Sequence, residues 1–306
     1  MKLIEFSENT VYKSVYPLKE LYKFYSCQGY RLYLLLGEDL VLPVVRVGKR
    51  NYYSLPFFSF GGPRLLFNGS AEGFQEYFGE SRLNLYYRMH VKSPVQGEKS
   101  YAIMDIEQFD SIDGYLNSVS KSARSKMRRS HKNGFRFVNV DGFSYSSEQL
   151  RDFYNVYVKN IHLLRSLPYS FSFFENLLNS FGKKSVLCLV YLENEVVAGG
   201  INICFDGIYE NQYFATDIAA RKSYVAYYLY FNMIEQAIIR GFNYFSFGRS
   251  TAESSLESFK IHLGAVIYPM ESNIISYASS WKSKFVSLWP VALRKMAGPY
   301  IAERLF

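Results

Sequence analysis

The first third of the chain combines helical and strand-like patterns of apolar residues. Between residues 11 and 29, apolar side chains recur at spacings of three and four, which predicts an amphipathic helix that Gly29 ends. Apolar runs on both sides of a turn at 37–39 predict a β-hairpin. In full, we predict helices at 11–29 and 71–80 and strands at 31–36, 40–47, 52–55, 83–91 and 101–106. This order predicts one α/β unit over residues 1–106.

A second series of elements begins near residue 107. Asn133 and Gly134 end a predicted helix whose single apolar face consists of Ile112, Leu116, Val119, Ala123 and Met127. Further helices are predicted at 147–164, 170–180, 223–240 and from about 255, and strands at 186–192, 196–205, 209–215 and 244–247. The order of elements repeats that of the first unit without visible sequence similarity, so we predict a duplicated topology, with the second unit at 107–280.

Composition is that of a folded protein with a basic surface. The chain has 306 residues, of which 49% are hydrophobic and 20% charged, enough for two domains. Its net charge of +8 favours anionic partners, such as nucleic acid, acidic lipid headgroups or phosphorylated carriers. Charge alone does not choose among them.

Cysteine usage and the N-terminus indicate the compartment. Cys27, Cys188 and Cys204 are far apart and lack paired spacing, so we expect neither a disulfide framework nor a metal site. The N-terminal residues include acids where a signal peptide has an apolar core, and no run reaches the roughly 18 apolar residues of a membrane span. We therefore expect a cytoplasmic protein.

The most informative segment joins a predicted strand to a predicted helix. Gly248 permits a close backbone approach to a ligand, and Arg249 and Ser250 follow it directly. Lys260 lies in the next helix, whose start at 251–255 offers N–H groups. These features predict a site for a phosphate or carboxylate. Alternatively, Arg249 ends a strand and Lys260 lies over the core.

A basic helix face and several strand residues are further candidates. Arg124 and Arg128 belong to a run of basic residues at 121–132, which is either a phosphate-binding face or a solvated surface. No DNA-recognition motif accompanies it. Glu210, Tyr213 and Asp217 lie on or just after a predicted central strand and are candidates for acid and base chemistry.

The last residues form a separate candidate segment. Aromatic and basic residues alternate over 281–306, which suits a membrane surface. A helix that packs on the domain and exposes its lysines explains the same pattern. Peripheral contact with an anionic inner membrane face thus stays open.

Several of these motifs together resemble one family. The chain is similar to the FemAB-related branch of the GNAT superfamily, especially to FemAB-like proteins associated with exosortase and exopolysaccharide loci, and to the CelD-like acetyltransferase domain. The motifs are 55–63, Arg124 with 128–129 and 132–134, Phe247-Gly-Arg-Ser250, Phe259-Lys260 with Gly264, and 289–292 with 298–299. The chain departs from the family pattern at Ser246, Ile261 and 226–227.

The resemblance implies tandem GNAT-like domains, each with a mixed, mostly antiparallel sheet flanked by helices. It implies transfer of an acyl or aminoacyl group from acyl-CoA or aminoacyl-tRNA to an amine, without a metal, in cell-envelope biosynthesis. The acceptor would be a small molecule or a lipid-linked glycan. Arg221 and Ser223 fall in the loop that such enzymes use for the coenzyme A pyrophosphate, with Tyr224 at its first glycine position. An ordinary helix start capped by Ser223 is the alternative.

Two functional hypotheses follow. In the first, Arg249 and Lys260 bind anionic groups, N–H groups of strand 196–205 polarise the acyl carbonyl, Glu210 or Asp217 accepts the amine proton, and Tyr213 protonates the leaving group. In the second, the chain is a non-catalytic GNAT-like adaptor that binds an anionic glycan or lipid carrier at the membrane surface.

Overall fold

The computed structural model describes residues 2–7, 14, 16–37, 41–59, 83–90 and 99–275. The chain divides into two compact units, one of residues 1–95, 165–167 and 270–306 and the other of residues 96–164 and 168–269. The predicted helix at 71–80, the motif segment at 60–63 and the tail at 281–306 lie outside the described residues.

The first unit contains a mixed sheet and a helix. Its strands are β1 Lys2–Glu5, β2 Arg31–Leu36, β3 Val41–Val47, β4 Asn51–Tyr53 and β5 Asn84–His90, and its helix is α1 Leu18–Cys27. Neighbouring strands from β1 to β4 are antiparallel, β4 and β5 are parallel, and residues 270–275 pair with β5. The predicted hairpin of β2 and β3 is confirmed. Phe24 of α1 is fully buried and packs edge-on against Phe58, with ring centroids 5.3 Å apart.

The second unit is larger and carries most of the candidate residues. Its strands are β6 Lys99–Asp105, β7 Phe135–Asp141, β8 Ser185–Leu192, β9 Glu195–Phe205, β10 Ile208–Thr216 and β11 Tyr244–Thr251, followed by β12 Val266–Ile275, whose end belongs to the first unit. Its helices are α2 Ile112–Ser118, α3 Lys121–Ser130, α4 Ser147–Leu163, α5 Phe171–Phe181, α6 Val225–Ile239 and α7 Ser255–His262.

The strand order in the second unit is β6-β11-β10-β9-β8-β7, and only β10 and β11 run parallel. Helices cover both faces of this sheet. A side chain at Gly199 would meet Phe153 of α4, whereas one at Gly200 would meet Met233 of α6. Since neighbouring strand residues point to opposite faces, α4 and α6 lie on opposite sides of β9.

Both sheets show the predicted duplication. In each, four strands joined by antiparallel pairing end on a parallel pair, β4 with β5 and β10 with β11. Strand β6 follows β5 in the sequence but pairs with β11 in the second unit. Its hydrophobic pattern placed this strand in the first unit, because such a pattern does not show which sheet a strand joins.

Three local features differ from the sequence-based expectations. The helix predicted after residue 111 is two helices, because Val119 is extended and the Ser120 hydroxyl accepts the N–H of Ala123 to begin α3. Strand β11 runs to Thr251 rather than ending at 247, so Arg249 lies in a strand and not in a loop. Strands β1, β7 and β12 were not predicted.

Phe245 of β11 tests how strongly the second core depends on aromatic packing. Its side chain is fully buried, stacks on Tyr209 at 5.8 Å and meets Phe247 edge-on at 4.9 Å. We predict that Phe245→Ala lowers the free energy of unfolding by about 3–5 kcal/mol because it leaves a cavity. Its neighbour Tyr244 is 41% exposed, so Tyr244→Ala should cost no more than about 1 kcal/mol. Urea denaturation of both variants checks this, and equal losses would contradict it.

Candidate functional site

The two parallel strands of the second sheet separate after a short contact. Their ladder contains the pairs Ile208↔Tyr244, Tyr209↔Phe245 and Glu210↔Ser246. Beyond it, β10 continues with β9 and β11 continues with β6, and each strand has a bulge just after this point. We call the space between residues 211–216 of β10 and 247–251 of β11 the fork, and the Glu210–Ser246 pair its apex.

The bulge in β11 explains the glycine of the predicted motif. Gly248 has a φ of +67°, a left-handed conformation that glycine adopts without the penalty of a side chain. Its N–H donates to the Ser246 hydroxyl at 3.1 Å. Ser246 differs from the family pattern, yet it stabilises the bulge beside the apex.

A fully buried carboxylate lies at the apex. Glu210 has no exposed surface, and the Tyr101 hydroxyl donates to its Oε2 at 2.8 Å. Tyr101 lies on β6 opposite Arg249, so its side chain reaches Glu210 across β11. Tyr101 is not among the site residues predicted from the sequence. Nothing in the local pattern marks it, because its partner is 109 residues away.

Lys260 does not face solvent. Its side chain is 2% exposed, and Nζ donates to the carbonyl oxygens of Gly248 at 3.2 Å and Arg249 at 2.9 Å. Burial lowers the Lys260 pKa to about 7, an effect that the carboxylates of Glu210 and Glu257 oppose. The structure therefore pairs Lys260 with the backbone of β11, whereas the sequence analysis expected an external anion.

The start of α7 is capped by residues of the chain itself. The Ser254 hydroxyl accepts the N–H of Glu257 at 3.2 Å, and the Glu257 carboxylate accepts the N–H of Glu253 at 3.0 Å. A carboxylate thus already lies where the sequence analysis expected N–H groups open to a ligand. Ser250 is buried within β11.

The three proposed acid–base residues lie in different places along β10. Glu210 is at the apex, and Tyr213 lies beyond the bulge, with its ring edge-on to Phe174 at 5.1 Å. Asp217 follows the strand and accepts the N–H of Ala219 at 2.8 Å. A rise of about 3.3 Å per residue puts Asp217 on the order of 20 Å from Glu210 along the strand. The structure does not bring Glu210 and Asp217 together.

The loop before α6 follows the end of β10, which is the end of the fork opposite its apex; we call this end the open side of the fork. Arg221 donates from Nε to the Thr216 hydroxyl at 3.0 Å. Tyr224 adopts a left-handed conformation with φ +60°, and no side chain caps α6, so the expected alternative of a Ser223 cap is wrong. The glycine-like backbone conformation persists although the residue is tyrosine.

The basic helix α3 lies beside this loop. Asn133 donates from Nδ2 to the Ser223 carbonyl at 2.7 Å, and Lys126 contacts the Tyr227 hydroxyl at 3.3 Å. Arg124 donates to the carbonyl oxygen of Val119, the residue that ends α2, at 3.4 Å. Arg128 is exposed. Positive charge therefore lies close to the uncapped start of α6.

The strand expected to polarise an acyl carbonyl is fully engaged elsewhere. Residues 196–205 belong to β9, which pairs with β8 on one side and β10 on the other. Beyond the apex, by contrast, β10 pairs with β9 but no longer with β11. A strand edge beside the fork is therefore found at residues 211–216 of β10 and not on β9.

Other expectations concern cysteines, metals and membrane spans. Cys188 and Cys204 are buried thiols, and Cys27 is an exposed thiol. Within the described ranges, no group of three or more His, Cys, Asp and Glu side chains has the arrangement of a metal site. No helix in the described part of the chain is long and apolar enough to cross a membrane.

Comparison with known proteins agrees with the fold. The acetyltransferase (GNAT) domain family matches residues 117–260, and no curated protein matches the sequence. FemX is 13% identical, with coverage of 94% of this chain and 99% of that chain and a TM-score of 0.59. The C-terminal domain of a putative lysylphosphatidylglycerol synthetase from Agrobacterium fabrum is 11% identical, with coverage of 87% and 90% and a TM-score of 0.55.

A tandem GNAT protein from the clavulanic acid biosynthesis pathway is 7% identical, with coverage of 91% of this chain and 99% of that chain and a TM-score of 0.50. The architecture is thus tandem GNAT-like, as the resemblance implied. The match of residues 117–260 to the GNAT domain family identifies the protein as an acyltransferase.

The buried Lys260 predicts a pH-dependent stability. Its folded-state pKa of about 7 lies below the value of about 10.4 in an unfolded chain, so between these values only the unfolded state keeps the proton. Lys260 should therefore make the protein more stable as pH rises through this window. Urea midpoints at pH 6, 7.5 and 9 should show this rise in the native protein relative to Lys260→Met. Lys222→Met, at an exposed lysine, should keep it. Parallel pH dependences of native protein and Lys260→Met would contradict the assignment.

Proposed function

We propose that this acyltransferase is an N-acyltransferase, which moves an acyl or aminoacyl group from acyl-CoA or aminoacyl-tRNA directly to an amine. The observation that carries the proposal is the fork, with a buried carboxylate at its apex and an uncapped helix start at its open side. An extended donor fits this arrangement with its phosphates at the loop and its acyl group toward the apex.

The chain offers a group for each step of the transfer. N–H groups of β10 beyond the apex would stabilise the developing oxyanion. The amine nitrogen forms a bond to the acyl carbon, and the thioester or ester bond breaks. Glu210 would take the amine proton, relayed through the Tyr101 hydroxyl because the carboxylate is buried. Tyr213 would protonate the leaving sulfur or oxygen, and no covalent enzyme intermediate forms.

Phosphate binding would involve the loop and the neighbouring helix. The start of α6 has no side-chain cap, so its N–H groups and helix dipole favour an anion. Arg221 lies in the loop, and Arg124 and Arg128 lie on α3 beside it. Arg249, half-buried along β11, would bind a second anionic group near the acceptor. Coenzyme A and tRNA share this phosphate chemistry.

The acceptor is proposed from the similar structures. Lysylphosphatidylglycerol, in the name of one of them, joins a lysyl group to a phospholipid. This supports an aminoacyl donor and a small or lipid-linked acceptor of the cell envelope, including a lipid-linked glycan. A cytoplasmic protein with peripheral contact to the inner membrane face would reach such an acceptor. Liposome pelleting with and without residues 281–306 tests that contact.

Calorimetry with acetyl-CoA and with a charged tRNA identifies the donor. We predict that Arg221→Ala raises the Kd of the donor that binds on the order of tenfold, or ~1.4 kcal/mol, because a phosphate loses a cation. Arg136→Ala is the matched control, since this arginine is exposed on β7 and lies over the Tyr191 ring, 4.3 Å from its centroid. Binding of neither donor by the folded protein would overturn the proposal and leave the adaptor hypothesis.

Removing the apex carboxylate or the hydroxyl bound to it should slow the chemical step. We predict that Glu210→Gln and Tyr101→Phe lower kcat by about 10²–10⁴-fold, since each interrupts the proton path, while the donor KM changes little. Thiol release from acetyl-CoA, or deacylation of the charged tRNA, with a panel of amines measures this. Tyr228→Phe removes a hydroxyl that binds the Phe135 carbonyl away from the fork, so it should leave kcat unchanged. An unchanged kcat in both Glu210→Gln and Tyr101→Phe would rule out the assignment.

A further inference from the structure

The bulge of β10 is held by one buried amide side chain. Asn211 is 3% exposed and donates from Nδ2 to the Tyr213 carbonyl at 3.1 Å, which spans the bulge. The same nitrogen donates to Asn202 Oδ1 at 3.0 Å, and the Tyr230 hydroxyl donates to Asn211 Oδ1 at 3.3 Å. Asn211 is thus fixed from the α6 side of the sheet while it bonds to the bulge.

A glycine on the neighbouring strand leaves room for this amide. A side chain on Gly200 would place its Cβ 3.0 Å from Asn211 Nδ2 and 3.3 Å from the Tyr213 carbonyl oxygen. Both distances are shorter than ordinary van der Waals contact. The absence of a side chain at Gly200 therefore permits the bond across the bulge.

The bulge of β11 is held in a comparable way. Lys260 reaches from α7 to the carbonyl oxygens of Gly248 and Arg249, the residues that follow the break in pairing with β6. Both residues pair with β6 again directly after the bulge, and the Lys260 bonds tie their carbonyl oxygens to α7. Each strand of the fork thus has its own buried side chain bonded to its bulge.

We propose that Asn211 and Lys260 are positioning residues that keep β10 and β11 apart beyond the apex, so that an acyl group can lie between them. Without these bonds, the two bulges relax toward regular strands and the parallel ladder extends past Glu210 and Ser246. Neither side chain needs to touch the substrate. The inference rests on the proposed function for its effect on catalysis, but the effect on the strands is independent of it.

Hydrogen–deuterium exchange of the whole protein tests the strands directly. In Asn211→Leu and Lys260→Met, we expect exchange of the fork-facing amides at 211–216 and 247–251 to slow by roughly tenfold or more, because the extended ladder pairs them; unchanged or faster exchange contradicts the proposal. Asn202→Ala is the matched control, because it removes a buried amide from the same network but leaves the Asn211 bond to Tyr213 intact. Asn202→Ala should lower the free energy of unfolding without altering the exchange of the amides at 211–216 and 247–251 in this way. Gly200→Ala displaces the Asn211 amide by a small amount and should change the exchange of these amides in the same direction as Asn211→Leu. This milder variant keeps the test valid if Asn211→Leu does not fold.

Kinetics separate positioning from general stability. With acetyl-CoA or charged tRNA as the probe, Asn211→Leu and Gly200→Ala should lower kcat by on the order of 10–100-fold with an unchanged donor KM. Asn202→Ala should keep kcat. If Asn211→Leu and Asn202→Ala are alike in both exchange and kcat, the positioning role is overturned. If the exchange results hold but the native protein transfers no group, the strands are held as inferred and the proposed function fails instead.

Discussion

Burial of a carboxyl group and a lysine amine at the place where two parallel strands part is the constraint on which the rest of the site depends. A buried carboxylate or ammonium is costly unless hydrogen bonds and an opposite charge compensate for lost water. Glu210 accepts a hydrogen bond from the Tyr101 hydroxyl, and Lys260 donates to two carbonyl oxygens of β11. Those carbonyls are available to Lys260 at the bulge, so the bulge and the buried lysine stabilise each other.

The same region of the structure explains why small residues occur at and beside the two bulges. Gly248 supplies the left-handed backbone of one bulge, and Ser246 supplies a hydroxyl for its N–H. Gly200 leaves space for the amide that bonds across the other bulge. Since β10 runs from the apex toward the Arg221 loop, one strand joins the proposed chemical centre to the proposed phosphate site. A donor with phosphates distant from its acyl group suits that length.

Local elements were predictable where local interactions form them. The β8–β9 hairpin and α4 follow from apolar runs, a turn and the capping box of Ser146 and Gln149. Prediction failed where a single hydrogen bond or a distant partner decided. Ser120 divides one apolar face between α2 and α3, and pairing with β6 extends β11 to Thr251. The spacing of apolar residues does not change at such points, so it does not reveal them.

The sequence by itself determined the α/β order of elements, its repetition, the basic charge, and the presence of Gly248, Arg249, Glu210 and Lys260 near the ends of strands and helices. Only the tertiary structure decided that Lys260 bonds inward to β11, that Tyr101 reaches Glu210, and that β10 rather than β9 borders the fork. The reason is that these contacts depend on strand register and neighbour order, which join residues from 11 to 109 positions apart and leave no periodic trace in the chain.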